Sequence, residues 1–250
     1  MTYAQAVQKF LDKVIQIFNS NPKRREPGDG SDGYCDCIGL PIGASRRAGF
    51  GYSGIHGSNY SARKQTVNLQ PIKSQSDLEL GDIVYKAVPQ GHKNWTLNKY
   101  KRYLPGGKYY NGDLNDYYHA GVVASLNPFQ IRHMSSKMTI NTKVNTYNPW
   151  NYHGKFRPVV NAANGQVDPV TPDTPTPGAT GAVVVAEKGG TVNLRVGPST
   201  NQKILVRVPL GKQVEILSPG EKWCKVKYGN TTGYMMAEFL DIIGDGKGKY

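Results

Sequence analysis

Three side chains of the types that carry out nucleophilic catalysis are Cys37, His119 and His133. A cysteine peptidase needs a thiol, a base that takes its proton and a third group that orients the base. Cys37 follows a turn-rich loop and precedes an apolar run typical of a helix start. There the helix dipole and free backbone N–H groups stabilise a thiolate and can receive an oxyanion. An inert buried cysteine fits this local sequence equally well.

The two histidines interrupt apolar stretches that are typical of strands. His119 lies in YYHAGVV and His133 in the following stretch, FQIRHMSS. Adjacent antiparallel strands bring side chains within hydrogen-bond reach, so the pattern predicts His119 as base and His133 as its orienting residue. A single histidine in a strand is more often structural, but two on neighbouring strands downstream of a candidate nucleophile favour catalysis.

The elements that must position these residues are a helix followed by antiparallel strands, an α+β pattern. Apolar residues at three- and four-residue steps predict an N-terminal helix. They are Ala4, Val7, Leu11, Val14 and Phe18. Buried strands are predicted at 79–88 and 117–126, and a third at 128–136. A long basic and aromatic excursion joins the first two strands.

Composition excludes several classes of protein. The 250 residues carry a net charge of +13, with 38% hydrophobic and 20% charged residues, too ordinary a balance for a disordered chain. No apolar stretch is long enough to span a bilayer, and the N-terminus lacks the features of a secretory signal. Three cysteines cannot build a disulfide framework. The positive charge favours a polyanionic partner, and without a nucleic-acid motif we expect anionic wall polymers rather than nucleic acid.

A proline- and threonine-rich segment, NAANGQVDPVTPDTPTPGAT at 161–180, predicts a linker. It separates a domain over 1–160 from a smaller one over 181–243. The smaller domain contains short strand-like runs separated by turn residues, which predict a small β-barrel. The sequence shows no catalytic set within it.

The first domain resembles the NlpC/p60 cysteine peptidases. GYCDCIGLPIGA is similar to that family's nucleophile motif, ELGDIVYK to its Gly-Asp strand, YHAGVV to its histidine strand and IRHMSS to the strand that follows. The resemblance implies a papain-like α+β fold with Cys37 as nucleophile, His119 as base and His133 as orienting residue. It also implies that Asp36 contacts substrate and that Tyr34 lines the pocket.

Two features depart from the family pattern. Ile38 stands where serine is usual, so a contact made by the serine side chain is not expected here. The backbone N–H of Ile38 is expected to stay available. The segment from about 89 to 116 is longer than the usual connection. Three roles are possible for this segment: a lid, a wall-binding arm or a surface loop without a specific function.

The second domain resembles bacterial SH3 domains over most of its length. It has similar signatures in TVNLRVGPS, WCKV and TTGYM. Such domains bind cell-wall peptide or glycan, which implies targeting through a surface that includes Arg195, Trp223 and Tyr234. SH3 aromatics are as often core residues, and we expect Cys224 to be a small core side chain.

Together the resemblances imply a peptidoglycan hydrolase, a cysteine endopeptidase that cuts stem peptides after γ-D-glutamate through a thioester. An amidase or crossbridge endopeptidase of the CHAP type and a non-catalytic wall-binding protein are the alternatives. We expect action at the bacterial cell wall as a phage or prophage lysin. A zinc site at Cys35 and Cys37 lacks the four-ligand spacing, so we expect no metal or cofactor. His56, His92 and His153 lie in polar surroundings that predict surface positions.

Overall fold

The computed structural model describes residues 1–167, 181–186, 189–220 and 222–242. Contacts divide the chain into two units, Met1–Leu97 with Asn111–Val170, and Asn98–Tyr110 with Thr171–Tyr250. None of the helices within the described ranges has the length and apolar character needed to cross a bilayer.

The first unit combines helices with an antiparallel sheet, which confirms the mixed helix-and-sheet class. Its helices are α1 (Tyr3–Asn19), α2 (Gly39–Arg47), α3 (Ser58–Lys64) and α4 (Arg157–Ala163). Its strands are β1 (Lys23–Arg24), β2 (Tyr34–Cys35), β3 (Thr66–Pro71), β4 (Ile83–Val88), β5 (Asp116–Leu126), β6 (Phe129–Met134), β7 (Met138–Asn141) and β8 (Tyr152–Phe156). Over the described residues, six strands pair in the order β3-β8-β4-β5-β6-β7, while β1 and β2 form a separate parallel pair.

Helix α1 confirms the predicted N-terminal helix. Thr2 caps it, because its hydroxyl accepts the Gln5 N–H at 3.2 Å while the Gln5 side chain accepts the Thr2 N–H at 2.8 Å. The buried face differs from the predicted stripe, since Ala4 is exposed and Phe18 only half-buried. The buried positions are Ala6, Val7, Phe10, Leu11, Val14 and Ile17. The stripe therefore covers a broader arc than a three-four spacing alone suggests.

The predicted strands at 79–88, 117–126 and 128–136 correspond to β4, β5 and β6, which pair antiparallel as expected. Alternate residues of the sheet face opposite sides. Tyr85 and Ala120 pack in the same core as α1, whereas Val123 and Ile131 pack with Trp150 in a separate apolar cluster. The candidate histidines thus lie on a sheet that is covered on both faces.

Several elements were not predicted from the sequence: α3, α4, β3, β7 and β8. Helix α4 runs through Ala163, with Pro158 in its first turn, so the first residues of the predicted linker are helical. Much of that linker, residues 168–180, lies outside the described residues.

The ends of the excursion between β4 and β5 are tied into the first unit. Asp116 accepts hydrogen bonds from the Thr96 backbone N–H at 2.8 Å, the Thr96 hydroxyl at 2.9 Å and the Asn59 amide at 2.9 Å. Asn59 in turn accepts from Arg63, which also donates to the Asn115 carbonyl. The excursion therefore leaves and re-enters the sheet through a buried polar anchor.

The second unit contains the all-β region. Its strands are β9 (Gly181–Val184), β10 (Thr191–Arg195), β11 (Ile204–Pro209), β12 (Gln213–Ser218), β13 (Trp223–Tyr228), β14 (Thr231–Met236) and β15 (Leu240–Ile242). Within the described ranges they form one sheet in the order β11-β10-β14-β13-β12-β9-β15. Val192, Leu194, Val226 and Met235 lie in its core. These strands follow the short apolar runs that predicted them.

Candidate active site

The nucleophile candidate lies at the start of α2, as predicted. Asp36 caps this helix start, because its carboxylate accepts the backbone N–H groups of Ile38 at 3.1 Å and Gly39 at 2.8 Å. Its second oxygen accepts the Gly28 N–H at 3.0 Å. Gly39 is required here, since a Cβ would collide with the Gly28 carbonyl. The close approach of α2 to the 28–29 loop fixes the backbone on which Cys37 lies.

The expectation that these N–H groups are free is wrong. Both the Ile38 and the Gly39 N–H groups donate to the Asp36 carboxylate, a charge-assisted arrangement that engages them within the protein. The backbone N–H of Cys37 itself has no hydrogen-bond partner among the described residues. It is therefore the donor at this helix start that a developing oxyanion can reach.

The thiol of Cys37 is 4% exposed. Burial raises its pKa to about 12, and the negative charges of Asp36 and Glu26 act in the same direction. A backbone hydrogen bond from Ala120 and the charge of Arg24 oppose the rise. The expected lowering by the helix dipole is outweighed, so the resting group is a neutral thiol.

His119 and His133 meet as the strand pattern predicts. His119 Nε2 lies 2.9 Å from His133 Nδ1, and the two rings stand perpendicular at 4.9 Å between centroids. When His119 donates through Nε2, its Nδ1 keeps a lone pair that can accept a thiol proton. His133 is 4% exposed, and its Nε2 has no hydrogen-bond partner among the described residues. The pair can therefore act as base and orienting residue.

Trp150 is a site residue that the sequence did not reveal. Its ring centroid lies 5.4 Å from that of His119 and 5.2 Å from that of His133. Its indole N–H donates to Asn141 at 2.9 Å, which fixes the ring. Gly121 makes room, because a Cβ there would lie 2.9 Å from the indole. The sequence offers one sign of this position: Trp150 is a large aromatic residue within an otherwise polar stretch.

Both imidazoles are held neutral. Burial lowers the pKa of His119 to about 3, with the charges of His133, Lys86 and Arg24 acting in the same direction. Burial, and to a smaller extent the charge of Lys86, lowers the pKa of His133 to about 4, and Asn141 acts in the opposite direction. At neutral pH the centre therefore consists of a thiol and two neutral imidazoles. Transfer of the thiol proton must accompany attack on a substrate rather than precede it.

His56 corrects the sequence interpretation. It was expected at the surface, but its side chain is 12% exposed and its Nε2 lies 2.7 Å from Asp36. Burial alone lowers the pKa of His56, and the Asp36 carboxylate outweighs it, so the pKa is raised. Burial raises the pKa of Asp36, but the charge of His56 and the hydrogen bonds lower it overall. A charged pair therefore lies beneath the helix start.

The other two histidines, His153 and His92, differ in their exposure to solvent. His153 was also expected at the surface but is 4% exposed, with its Nδ1 2.8 Å from Asp82. His92 is exposed, as predicted. In the two wrong cases one ring nitrogen of the histidine pairs with a buried carboxylate, and that carboxylate lies 20 residues away in the sequence for His56 and 71 for His153.

The two predicted substrate contacts occupy different environments. Asp36 is fully buried and both of its oxygens are engaged within the protein, so its observed role is to fix the helix start. Tyr34 is half-buried, and the guanidinium of Arg25 lies 4.0 Å from its ring centroid. Within the described ranges no cluster of His, Cys, Asp and Glu is arranged to hold a metal ion.

The predicted wall-binding residues lie on adjacent strands. Arg195 of β10 is the register partner of Tyr234 on β14, and Lys225 pairs with Tyr234 from the other side. The Arg195 guanidinium donates to the Gln202 carbonyl at 2.8 Å. Trp223 is 9% exposed and Cys224 is a core residue. Arg195 and Tyr234 are thus neighbours, while Trp223 is largely withdrawn from solvent.

Comparison with known proteins bears on part of the second unit. Residues 190–241 match the family model of the bacterial SH3 domain. No curated protein matches the chain. The matching solved structures include NlpC2 from Trichomonas vaginalis, at 14% identity and a TM-score of 0.23 over 71% of this chain and 48% of that one. Another is Ly7917, at 17% identity and a TM-score of 0.31 over 100% of this chain and 97% of that one.

This chain therefore spans about half the length of the NlpC2 structure.

Proposed function

We propose that the first unit is a papain-like cysteine endopeptidase domain that hydrolyses peptidoglycan stem peptides after γ-D-glutamate. The observation that carries the proposal is the hydrogen bond between His119 and His133 on adjacent strands, in a unit whose Cys37 lies at the start of α2. A base held by an orienting group next to a nucleophile at a helix start is the arrangement that acyl transfer requires.

The mechanism starts from neutral groups. As the Cys37 sulfur attacks the amide carbonyl, its proton passes to Nδ1 of His119, and the backbone N–H of Cys37 donates to the developing oxyanion. His119 then protonates the leaving amine, and a thioester remains. Water that loses its proton to His119 adds to the thioester, the C–S bond breaks to release the acid product, and His119 returns the proton to the departing Cys37 sulfur. His133 keeps the His119 ring in the tautomer that makes each transfer possible.

The bacterial SH3 domain supplies the targeting part of the proposal. Its strands bring Arg195, Lys225 and Tyr234 together. Cationic and aromatic side chains of this kind suit peptidoglycan and anionic wall polymers. We place the protein at the bacterial cell wall, in the role of a phage or prophage lysin.

The test is mass spectrometry of the soluble products released from purified peptidoglycan. We expect wild type to release fragments that end in γ-D-glutamate and Cys37→Ala to release none, while Cys35→Ala, which removes the neighbouring buried thiol, stays active. His119→Gln should reduce the rate by about 10³-fold, within the range for removal of a general base. Release of intact stem peptides would show an amidase instead.

A non-catalytic wall-binding protein is the second candidate, and the burial and raised pKa of the Cys37 thiol favour it. Wall binding by wild type and Cys37→Ala alike, with no product from either on several wall types, would establish this candidate and overturn the peptidase.

A further inference from the structure

We propose that Lys86 is a specificity-determining residue that binds a carboxylate carried by the substrate next to the scissile amide. The inference rests on the proposed peptidase function and names the group that the site recognises beside the bond it cuts.

The position of Lys86 is the first observation. It is the register partner of His119 on the adjacent strand β4, so the two side chains lie side by side on one face of the sheet. Its ammonium lies 4.9 Å from the ring centroid of Trp150, the same ring that packs against both histidines. Lys86 therefore borders the candidate active site directly.

The second observation is that Lys86 lacks an anionic partner. It is half-buried, and no described carboxylate forms an ion pair or hydrogen bond with it. The cation–π contact with Trp150 holds the side chain without neutralising its charge. Lys155 provides the contrast, because it lies 4.8 Å from the ring of Tyr3 but also donates to Glu79 at 2.6 Å. A half-buried cation held in place and left uncompensated is suited to an incoming anion.

The chemistry of the proposed reaction gives this cation a use. An uncompensated charge at Lys86 opposes formation of an imidazolium at His119, and both histidine pKa values are lowered by it. A substrate carboxylate at Lys86 would cancel that repulsion as His119 takes the thiol proton. Binding of the right substrate and activation of the base are then coupled through one residue.

The experiment compares two synthetic peptides that differ in one group. Each has a γ-linked D-glutamate before the scissile bond, one with its free α-carboxylate and the other with an α-carboxamide. We expect wild type to favour the carboxylate by about tenfold or more in kcat/KM, as a charge-assisted hydrogen bond allows. Lys86→Met, which keeps an apolar stem over Trp150, should bring the ratio close to one, and Lys86→Arg should retain a preference. Lys155→Met is the matched control and should keep the wild-type ratio.

A wild-type ratio near one, or an unchanged ratio in Lys86→Met, would overturn the inference while leaving the peptidase intact. If wild type cleaves neither peptide, the proposed function fails, and calorimetric binding of the same two peptides decides about Lys86. A carboxylate preference that disappears in Lys86→Met supports the assignment, and equal binding of the two peptides overturns it.

Discussion

The two units of the chain place their polar side chains in opposite ways. Within the described residues, every buried polar or charged side chain belongs to the first unit, among them Asp36, Asp116, His133 and His153. The core of the second unit's all-β region is formed by apolar side chains and Cys224, and its charged residues lie on the outside. Buried polar groups generally need hydrogen-bond partners, so the first unit is organised around specific polar pairs and the all-β region around strands with alternating apolar and polar side chains. Substitutions should therefore act differently in the two.

The largest expected effect on folding comes from the buried pair of His56 and Asp36. His56→Leu removes the partner of a fully buried carboxylate, and we expect a loss of about 3–5 kcal/mol in the free energy of unfolding. Arg207→Leu, at an exposed position on strand β11 of the second unit, should change the free energy of unfolding by less than about 0.5 kcal/mol. Denaturant unfolding of the full chain measures both, and equal effects would erase the contrast between the units.

The charges of His56 and Asp36 make the destabilisation caused by His56→Leu depend on pH. The folded pKa of His56 is raised above 6.5, so its contribution is present below pH 6.5 and lost as the pH rises through the raised value. The folded pKa of Asp36 is lowered below 3.8, so its contribution is present above pH 3.8 and lost as the pH falls. The difference between wild type and His56→Leu should be largest between these limits. A difference that grows above pH 6.5 would contradict the charged pair.

The sequence predicted what local periodicity and strand adjacency determine. His119 and His133 were expected to meet because they lie on consecutive strands, and they do so at 2.9 Å. The strands of the second unit's all-β region were predicted from short apolar runs between turns. The start of α2 was placed correctly, because a turn-rich loop before an apolar run marks a helix N-terminus.

What the sequence did not reveal depends on contacts between distant residues. The pairing of His56 with Asp36 joins a glycine-rich loop to the helix start, and no periodicity links the two. Trp150 reaches the histidines from an irregular segment after β7. The backbone N–H groups at this helix start, including that of Ile38, were expected to be free, but the Asp36 carboxylate accepts those of Ile38 and Gly39. Local sequence cannot decide whether such a carboxylate accepts from backbone N–H groups of its own helix or from a substrate.

An intermediate effect is expected where the sheet and Trp150 approach most closely. Gly121→Ala would place a methyl group 2.9 Å from the indole and 2.9 Å from the Ile131 side chain. We expect a loss of about 1–3 kcal/mol from overpacking, together with reduced kcat as Trp150 moves off the histidines. Gly190→Ala in the second unit is the matched control, since a Cβ there meets no atom within 4 Å. Thermal unfolding and peptide hydrolysis measure the two consequences. Unchanged activity in Gly121→Ala would show that Trp150 does not position the histidines.

The smallest effect is expected at exposed positions on strands β10 and β14 of the second unit. Substitutions there should weaken wall binding without lowering the free energy of unfolding. Arg195→Ala and Tyr234→Ala remove neighbouring groups from the face that we assign to wall binding. Because each residue is half-exposed and lies outside the apolar core, stability should change little. Binding to whole cell walls should weaken by less than about tenfold for each variant, since one exposed contact contributes roughly 1 kcal/mol. Sedimentation with purified walls, done in the Cys37→Ala background, measures binding without digestion.

Hydrolysis of soluble peptides by the same variants with Cys37 intact should equal wild type, because targeting acts only on an insoluble substrate. A variant that loses soluble-peptide activity while still binding walls would show that this face contributes to catalysis, and the division of labour between the two units would then be wrong.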